Sequence, residues 1–294
     1  MINNLLDKSI YFSFDNTGFK RHEKKFKKIS SDSLKGKRYL VTGGTSGIGQ
    51  SIVSVLRSYG SEVDFTGRRV TEETGYSQLD LANHNDVLKF IKNGPEYDGV
   101  VLNAGGMPVD YKEHYGYETQ FSSQVLGHYI MLRAMIDLNK INSNGRFIWM
   151  SSGGMYMVKY QDKLIKNAKK IYDKVNFYAN AKRAQIIIND YLHDKYKGRG
   201  YKFSVMHPGW VDTSGVRDAI PGFFNFTKNR LRTPEQGGDT AVWLLSESDT
   251  PSGEFWFDRQ IQKKVVFPWT KNSFKEKREL VDLCEGHYQF ICQN

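Results

Sequence analysis

Three groups of residues have types and spacings that could carry chemistry. A tyrosine and a lysine, Tyr178 and Lys182, stand four positions apart. A serine pair, Ser151-Ser152, precedes them, and a glycine-rich segment, 42–49, lies far upstream. Residues four apart on a helix make a common local contact, so the Tyr/Lys pair alone is a weak signal. A turn that can hold pyrophosphate, then a serine, then a Tyr/Lys pair together predict a site that moves a hydride and a proton.

The composition of the chain is that of a globular α/β protein. Its 294 residues are 39% hydrophobic and 14% aromatic, which is ample for one well-packed core. The two cysteines, Cys284 and Cys292, form neither a disulfide framework nor a metal site, which favours a reducing, cytoplasmic location. No segment approaches the roughly 20 apolar residues of a membrane span, and residues 1–10 lack the pattern of a secretory signal.

The net charge of +10 admits two interpretations. It could mark a nucleic-acid or anionic-membrane partner, or a lysine-rich surface with a locally basic phosphate pocket. No nucleic-acid motif is present, so we favour the second interpretation and expect no nucleic-acid partner.

Strand and helix signals alternate along the chain. Strands are predicted at 38–41, 62–66, 76–80, 99–102, 146–150 and 202–206, helices at 51–59, 83–92, 121–138 and 176–195, and a closing helix and strand at 241–246 and 254–257. This alternation predicts a Rossmann-like three-layer α/β/α sandwich with a doubly wound parallel sheet in a single domain. Only residues 67–75 join the second and third strands, so this crossover is predicted to be a loop or a single turn.

Segments of different character flank the predicted catalytic domain, 37–257. Residues 1–36 form an N-terminal extension, aromatic at first and then basic, with helical spacing around Phe19 and Phe26. This extension could dock on the domain or lie on a membrane surface, and we favour docking. Residues 258–294 form a C-terminal tail, with helical spacing near Cys284.

Gly43, Gly47 and Gly49 stand where the first strand passes into the first helix. Glycine leaves the backbone bare there, so a phosphate can approach the free N–H groups of the helix N-terminus. The position between strand and helix favours dinucleotide binding over a merely tight turn.

The motif set resembles the short-chain dehydrogenases/reductases over roughly residues 37–257. It comprises the glycine turn 42–49, Leu102-Asn103-Ala104-Gly105, Ser152, Tyr178-x-x-x-Lys182 and Pro208-Gly209. Within that family, the segments 151–155, 178–183 and 207–217 resemble the SDR family member 12 group. The long Ser-to-Tyr segment is similar to that of the retinol dehydrogenases.

The resemblance implies three catalytic roles. Tyr178 would be the general acid in carbonyl reduction or the base in alcohol oxidation, as in an NAD(P)-dependent dehydrogenase. The Lys182 ammonium, with an oxidised nicotinamide, would lower the Tyr178 pKa from about 10 towards neutrality, and Lys182 would also bind the nicotinamide ribose. Ser152 would donate to the substrate oxygen. Because adjacent strand residues face opposite sides, only one of Ser151 and Ser152 can face the site, and we favour Ser152.

The resemblance also implies a cofactor site, and the residues after the second strand favour NADP(H) over NAD(H). Arg68 and Arg69 stand there in place of a carboxylate, and arginine offers paired donors to a phosphate. The alternative is that both are solvated loop charges. The remaining cofactor residues implied are Gly43, Thr45, Ser46, Gly47, Ile48, Gly49, Asp80, Leu81, Asn103, Ala104, Gly105, Tyr178, Lys182, Pro208, Gly209, Val211 and Thr213.

Gln124 is a departure from the family pattern. It occupies the position of an asparagine that holds a relay water, and its side chain is one methylene longer. This leaves open a catalytically weak, NADP(H)-binding regulatory protein as the alternative to an active enzyme.

The substrate side is less well marked by the sequence. Segments 153–177 and 220–226 contain apolar and aromatic residues. These residues could line a pocket for a hydrophobic carbonyl or alcohol, such as a lipid, steroid or retinoid. Equally, they could pack in the core. A homodimer through helices 121–138 and 176–195 is the implied assembly, which the tail could block or rebuild. Peripheral membrane contact also stays open.

Overall fold

The computed structural model describes residues 10–293, and the side chains from residue 12 onward. Residues 1–9 and Asn294 lie outside the described residues. The prediction that residues 1–10 are not a secretory signal therefore falls almost entirely outside them.

One eight-stranded sheet forms the centre of the molecule. Its strands are β1 (Arg38–Thr42), β2 (Glu62–Gly67), β3 (Tyr76–Gln78), β4 (Tyr97–Leu102), β5 (Ile141–Met150), β6 (Lys202–Met206), β7 (Phe255–Phe257) and β8 (Gln260–Ile261). The spatial order is β8-β7-β6-β5-β4-β1-β2-β3. All neighbours pair in parallel except β8, which is antiparallel to β7. The strand order therefore reverses between β1 and β4, at the crevice where doubly wound sheets bind ligands.

Helices cover both faces of this sheet. They are α1 (Asn16–His22), α2 (Gly47–Ser58), α3 (His84–Asn93), α4 (119–137), α5 (Lys174–Tyr196), α6 (Pro234–Ser246) and α7 (Phe274–Gln293). Shorter helices span Ile10–Ser13, Ser214–Ala219 and Pro221–Thr227, and a two-stranded hairpin pairs Glu113–His114 with Tyr117–Glu118. Helices α2 and α6 pack together on one face, and α3, α4, α5 and α7 pack on the other. The structure confirms the predicted three-layer sandwich and single domain.

The central strands are apolar because both of their faces are covered. Val100, Val101 and Leu102 of β4 are fully buried, and their side chains contribute to two separate clusters, one on each side of the sheet. This continuous apolar run is typical of a parallel strand and explains why its position could be predicted.

The predicted elements are confirmed, with differences in their bounds: α6 begins at Pro234 rather than at 241, and β5 begins at Ile141 rather than at 146. Helix α2 begins at Gly47, within the glycine turn, and β3 ends at Gln78, so Asp80 lies in the following turn. Helix α4 contains a π-helical segment, Ser122–Gly127, that the sequence did not predict. The connection from β2 to β3 has no helix, as expected.

The N-terminal segment docks on the domain, as we favoured. Asp15 caps α1 by accepting from the Gly18 amide, and Phe14 and Phe19 are buried. The Arg232 guanidinium donates to the backbone oxygens of Ser13 and Phe14. Two aromatic residues of this segment, Phe14 and Phe19, therefore pack inside the protein, whereas Phe12 is exposed.

Helix α7 packs against α3, α4 and α5. It buries Leu280, Cys284 and Ile291, and Glu285 pairs with Arg133 of α4 and Lys195 of α5. The helix therefore covers part of the surface that we considered for a homodimer. Among residues 10–293, no helix is both long enough and apolar enough to cross a bilayer.

Candidate active site

The glycine turn lies at the carboxyl end of β1, beside the end of β4. Gly43 has φ of +67°, and a Cβ at Gly49 would lie 2.2 Å from the Gly43 oxygen, so neither position accepts a side chain without distortion. Ser46 is the N-cap of α2, but its side chain makes no capping hydrogen bond. The N-terminus of α2 therefore opens towards the crevice in the way that a bound phosphate requires.

Thr42 joins the glycine turn to the Asn103-Ala104-Gly105 segment. Its hydroxyl oxygen accepts from the Asn103 amide at 2.9 Å and from the Ala104 amide at 3.0 Å. The Asn103 side-chain amide donates back to the Thr42 oxygen at 2.9 Å. These bonds fix both sides of the crevice relative to each other.

Tyr178 lies in the first half of α5 and faces the residue that follows β5. The Ser152 side chain lies near the Tyr178 hydroxyl and acts to lower the Tyr178 pKa. Ser151 is buried and donates to the Lys182 backbone oxygen at 3.1 Å. The two serines thus face different sides, and Ser152 is the one beside Tyr178.

Lys182 lies one turn after Tyr178, with 1% of its surface exposed. Its Nζ donates to the Met150 oxygen at 2.8 Å and lies 5.2 Å from the centre of the Tyr178 ring. Burial lowers the Lys182 pKa to about 7, so the side chain is partly neutral near neutral pH.

The expected lowering of the Tyr178 pKa is wrong for the protein alone. Burial raises the Tyr178 pKa to about 12, although the Ser152 side chain opposes this shift. Desolvation is the largest cause of this shift, and the same burial makes the neighbouring Lys182 less charged. Without a bound cofactor, Tyr178 therefore keeps its proton at neutral pH.

Gln124 lies in the π-helical segment and borders the lysine. Its Nε2 donates to the Gly106 oxygen at 2.7 Å. Its Oε1 is buried and has no hydrogen-bond partner among residues 10–293. A Cβ at Gly105 would lie 2.8 Å from Gln124 Oε1 and 3.4 Å from Lys182 Nζ, so both atoms lie beside the same glycine. This acceptor can bind a water or a ligand hydroxyl next to Lys182.

His128 is a buried residue of this region that the sequence did not point to. Its Nδ1 donates to the Gln124 backbone oxygen at 3.1 Å, and its Nε2 lies 2.9 Å from the Thr42 hydroxyl, from which it can accept. Burial, with a contribution from the charge of Lys182, lowers the His128 pKa to about 3. His128 is therefore neutral and links the glycine turn to the π-helical segment.

Arg68 and Arg69 lie directly after β2, and both are exposed. Their backbone oxygens accept from Gln78 and Tyr76 of β3, which fixes the path of the loop. Neither guanidinium has a partner within the part of the chain that the structure describes, so both are available to an anion.

The Pro208-Gly209 segment is held by residues that sequence reasoning missed. Gly209 has φ of +77°, and a Cβ there would lie 2.5 Å from Arg232 and 2.6 Å from the Phe14 oxygen. Arg232 is buried and pairs with Asp258, and the Trp210 amide donates to the Phe14 oxygen at 2.8 Å. The contacts of Arg232 and Trp210 with Phe14 join distant parts of the sequence and therefore leave no local sequence signal.

Several of the other predicted cofactor residues have defined neighbours in the structure. Thr45 packs on Gly67, and Thr213 lies beside Gly47. Val211 forms an isolated bridge with Arg232. Asp80 caps its own turn by accepting from the Ala82 amide, and Leu81 is buried against α4.

The candidate substrate segments divide between core and surface. Met155, Tyr156 and Tyr160 are buried in the core, as expected if these residues serve core packing rather than a substrate pocket. Met157 is exposed. Residues 220–226 lie on the short helix Pro221–Thr227, where Phe223 packs against Trp210 at 5.1 Å between ring centres. The aromatic segment 220–226 therefore adjoins the Pro208-Gly209 segment.

Comparisons with known proteins agree with this geometry. A family model described as the NAD dependent epimerase/dehydratase family matches residues 39–208. Dehydrogenase/reductase SDR family member 12 from Homo sapiens is 30% identical over 275 residues, covering 86% of each chain. Retinol dehydrogenase 14 from Homo sapiens is 27% identical, covering 76% of this chain and 79% of its own.

Solved structures share the fold at lower identity. A short-chain dehydrogenase from Escherichia coli CFT073, complexed with NADPH, superimposes with a TM-score of 0.61 at 22% identity. The match covers 79% of this chain and 100% of that chain. A family model over more than half of the sequence and a 30% identical relative across most of it show that the chain belongs to the short-chain dehydrogenase/reductase family, as an NAD(P)-dependent oxidoreductase.

Proposed function

We propose that the protein uses NADP(H) to interconvert a hydrophobic carbonyl compound and its alcohol, with Tyr178 as the acid or base. The observation that carries this proposal is the arrangement on α5, where Lys182 Nζ lies 5.2 Å from the centre of the Tyr178 ring and Ser152 lies near the Tyr178 hydroxyl. The named relatives include retinol dehydrogenases, which suits a hydrophobic substrate.

The residues present fit a dinucleotide. The glycine turn leaves a bare backbone that a Cβ would fill, at the N-terminus of α2. Gln124 Oε1 is a buried acceptor without a partner in the described residues, beside Lys182 Nζ. We assign the pyrophosphate to residues 43–49, the ribose next to the nicotinamide to Lys182, and the carboxamide to the 208–213 segment.

The preference for NADP(H) rests on Arg68 and Arg69. Within the described residues neither guanidinium has a partner at the end of β2, where a 2′-phosphate would lie, and the two residues that directly follow β2 are basic rather than acidic. We expect NADPH to bind at least tenfold more tightly than NADH, and the Arg68→Ala/Arg69→Ala variant to lose most of this difference while keeping its NADH affinity. Fluorescence titration with NADPH and with NADH measures the two affinities. Equal affinities in the wild type would contradict the preference for NADP(H).

The chain positions and protonates the substrate oxygen. When bound, the nicotinamide supplies or accepts the hydride. The Ser152 hydroxyl donates to the substrate oxygen and keeps it beside Tyr178. In reduction, the Tyr178 hydroxyl gives its proton to that oxygen, so the carbonyl gains one hydride and one proton and becomes an alcohol. In oxidation, Tyr178 takes the proton from the alcohol.

The protonation states of Tyr178 and Lys182 favour carbonyl reduction over alcohol oxidation. The raised pKa of Tyr178 keeps the phenol protonated, which is the form that a general acid requires. Lys182, with a pKa of about 7, can exchange a proton with its surroundings near neutral pH and return one to Tyr178. The Gln124 oxygen offers a place for the water that such an exchange needs.

A turnover screen tests the catalytic proposal. NADPH oxidation would be followed with long-chain and aromatic aldehydes and ketones, on the wild type and on Tyr178→Phe. We expect turnover to fall by at least about a hundredfold in Tyr178→Phe, because general acid catalysis contributes about 10² to 10⁴. NADPH binding without any Tyr178-dependent turnover would instead indicate the catalytically weak, regulatory protein.

A further inference from the structure

A loop that follows the last strand, β8, exposes apolar side chains that no other described residue covers. This loop, residues 263–271, will be called the Trp269 loop. Trp269 is 68% exposed and Val266 is 51% exposed, and Phe274, just after the loop, is 84% exposed. The Trp269 ring stacks on Phe267, with 4.7 Å between ring centres. The tip of the loop is therefore an apolar surface that faces water.

The Trp269 loop is anchored at both ends by one side chain. The Arg183 guanidinium donates to the Lys264 oxygen at 2.5 Å and to the Thr270 oxygen at 3.0 Å. Thr270 is buried and donates to the Phe267 oxygen at 2.7 Å. Asn272, directly after the loop, exchanges two hydrogen bonds with the backbone of Tyr160. The exposed tip is thus presented by a fixed scaffold.

The charged residues of the loop itself are all lysines, although Asp258 and Glu276 flank the wider segment. Residues 259–275 contain Arg259 and four lysines but no acidic residue. Lys264 pairs with Asp190 at the base of the loop. Lys263 and Lys271 are exposed and have no carboxylate partner among residues 10–293. An apolar tip with free ammonium groups beside it is complementary to an anionic phospholipid surface, where indole rings partition to the headgroup level.

The N-terminal segment does not offer the same combination. Its lysines at 24, 25, 27 and 28 are exposed, but Phe14 and Phe19 are buried and Phe26 packs on Phe19. Among its described side chains, from residue 12 onward, Phe12 is the one exposed large hydrophobic residue, at 37%, so this part could attract an anionic surface but offers little apolar surface to insert.

We infer that the Trp269 loop binds the surface of anionic membranes, with Trp269 and Val266 inserted at the headgroup level and Lys263 and Lys271 against the lipid phosphates. Arg183, which fixes the loop, follows Lys182 directly on α5. Membrane binding by the loop would therefore hold α5, which carries Tyr178 and Lys182, near the membrane without a spanning segment. The inference does not depend on the proposed substrate or cofactor.

Vesicle flotation of the full chain tests this inference, with phosphatidylcholine alone and with phosphatidylcholine containing phosphatidylserine. We expect the wild type to float with the anionic vesicles and to remain at the bottom with the neutral ones. Trp269→Ser should lower the partition coefficient about tenfold, the equivalent of about 60 Å² of apolar surface left in water. Lys263→Glu/Lys271→Glu should lower it at least about 25-fold, because the loss of each lysine charge alone costs about fivefold and the glutamates add repulsion.

Two control variants make the result specific. Phe290→Ser removes an aromatic side chain that is 51% exposed on α7, away from the loop, and should float like the wild type. A variant with glutamate at lysines 24, 25, 27 and 28 should lose little binding. Wild-type protein that does not float with anionic vesicles, or Trp269→Ser and Phe290→Ser floating equally well, would overturn the inference. Loss of flotation only in the N-terminal variant would also overturn it.

Discussion

Phe14 connects the N-terminal segment to both loops of the candidate site. Its ring lies 4.4 Å from the ring of His207 and 5.0 Å from that of Phe257, between centres. A Cβ at Gly153, next to Ser152, would lie 2.6 Å from the Phe14 ring. Removing this ring in Phe14→Ala should therefore loosen the Ser152 turn and the Pro208-Gly209 segment together.

The size of the effect follows from the burial of this side chain. Phe14 is 9% exposed, and truncation of a buried phenylalanine to alanine costs about 3 to 5 kcal/mol. We take about 3 kcal/mol, because the neighbouring segment can relax into part of the cavity. At about 2 to 4 °C for each kcal/mol in a chain of this size, the melting temperature should fall by about 6 to 12 °C.

The assay is thermal unfolding by circular dichroism, with Phe26→Ala as the matched control. Phe26 lies in the same segment but is only partly buried and does not touch either loop, so its loss should cost clearly less. NADPH should also bind more weakly to Phe14→Ala, whereas a 2′-phosphorylated adenosine nucleotide, which needs only the glycine turn and Arg68, should bind equally well. A Phe14→Ala melting temperature no lower than that of Phe26→Ala would refute this reasoning.

Two other predictions concern the site. Because the folded pKa of Lys182 is about 7, against 10.5 in the unfolded chain, the unfolded state binds the extra proton between those values and wild-type stability rises with pH. From about pH 7 to about pH 9 the wild type should gain about 2 kcal/mol relative to Lys182→Met in denaturant titrations, and a difference that stays constant would show that Lys182 is charged when folded. Gly209→Ala should lose at least about 2 kcal/mol, because a side chain at φ of +77° meets Arg232 and the Phe14 oxygen. Gly222→Ala, which meets nothing within 4 Å, is its control, and equal unfolding midpoints for the two would contradict the observed packing.

The parallel sheet could be predicted because its signals are local. Each central strand is a short apolar run bounded by glycine or polar residues, and β4 is the clearest example. The glycine turn could be placed because it follows β1 and opens α2. The helical spacing at Leu280, Val281 and Cys284 also marked the buried face of α7.

The supports of the site could not be predicted, since they depend on distant contacts or on burial. Arg232 reaches the backbone of Ser13 across 219 positions. The π-helical segment at Gln124 has the same apolar pattern as an ordinary helix. The direction of the Tyr178 pKa shift depends on desolvation, which the Tyr/Lys spacing does not express.

The measurement that tests the central claim most directly is a single-turnover experiment. Wild type and Tyr178→Phe would each be saturated with NADPH, mixed with a hydrophobic aldehyde that the screen finds active, and followed by loss of NADPH absorbance. Our account predicts equal NADPH occupancy in both and a rate at least about a hundredfold lower in Tyr178→Phe. Equal rates in the two proteins would contradict the assignment of Tyr178 as the proton donor.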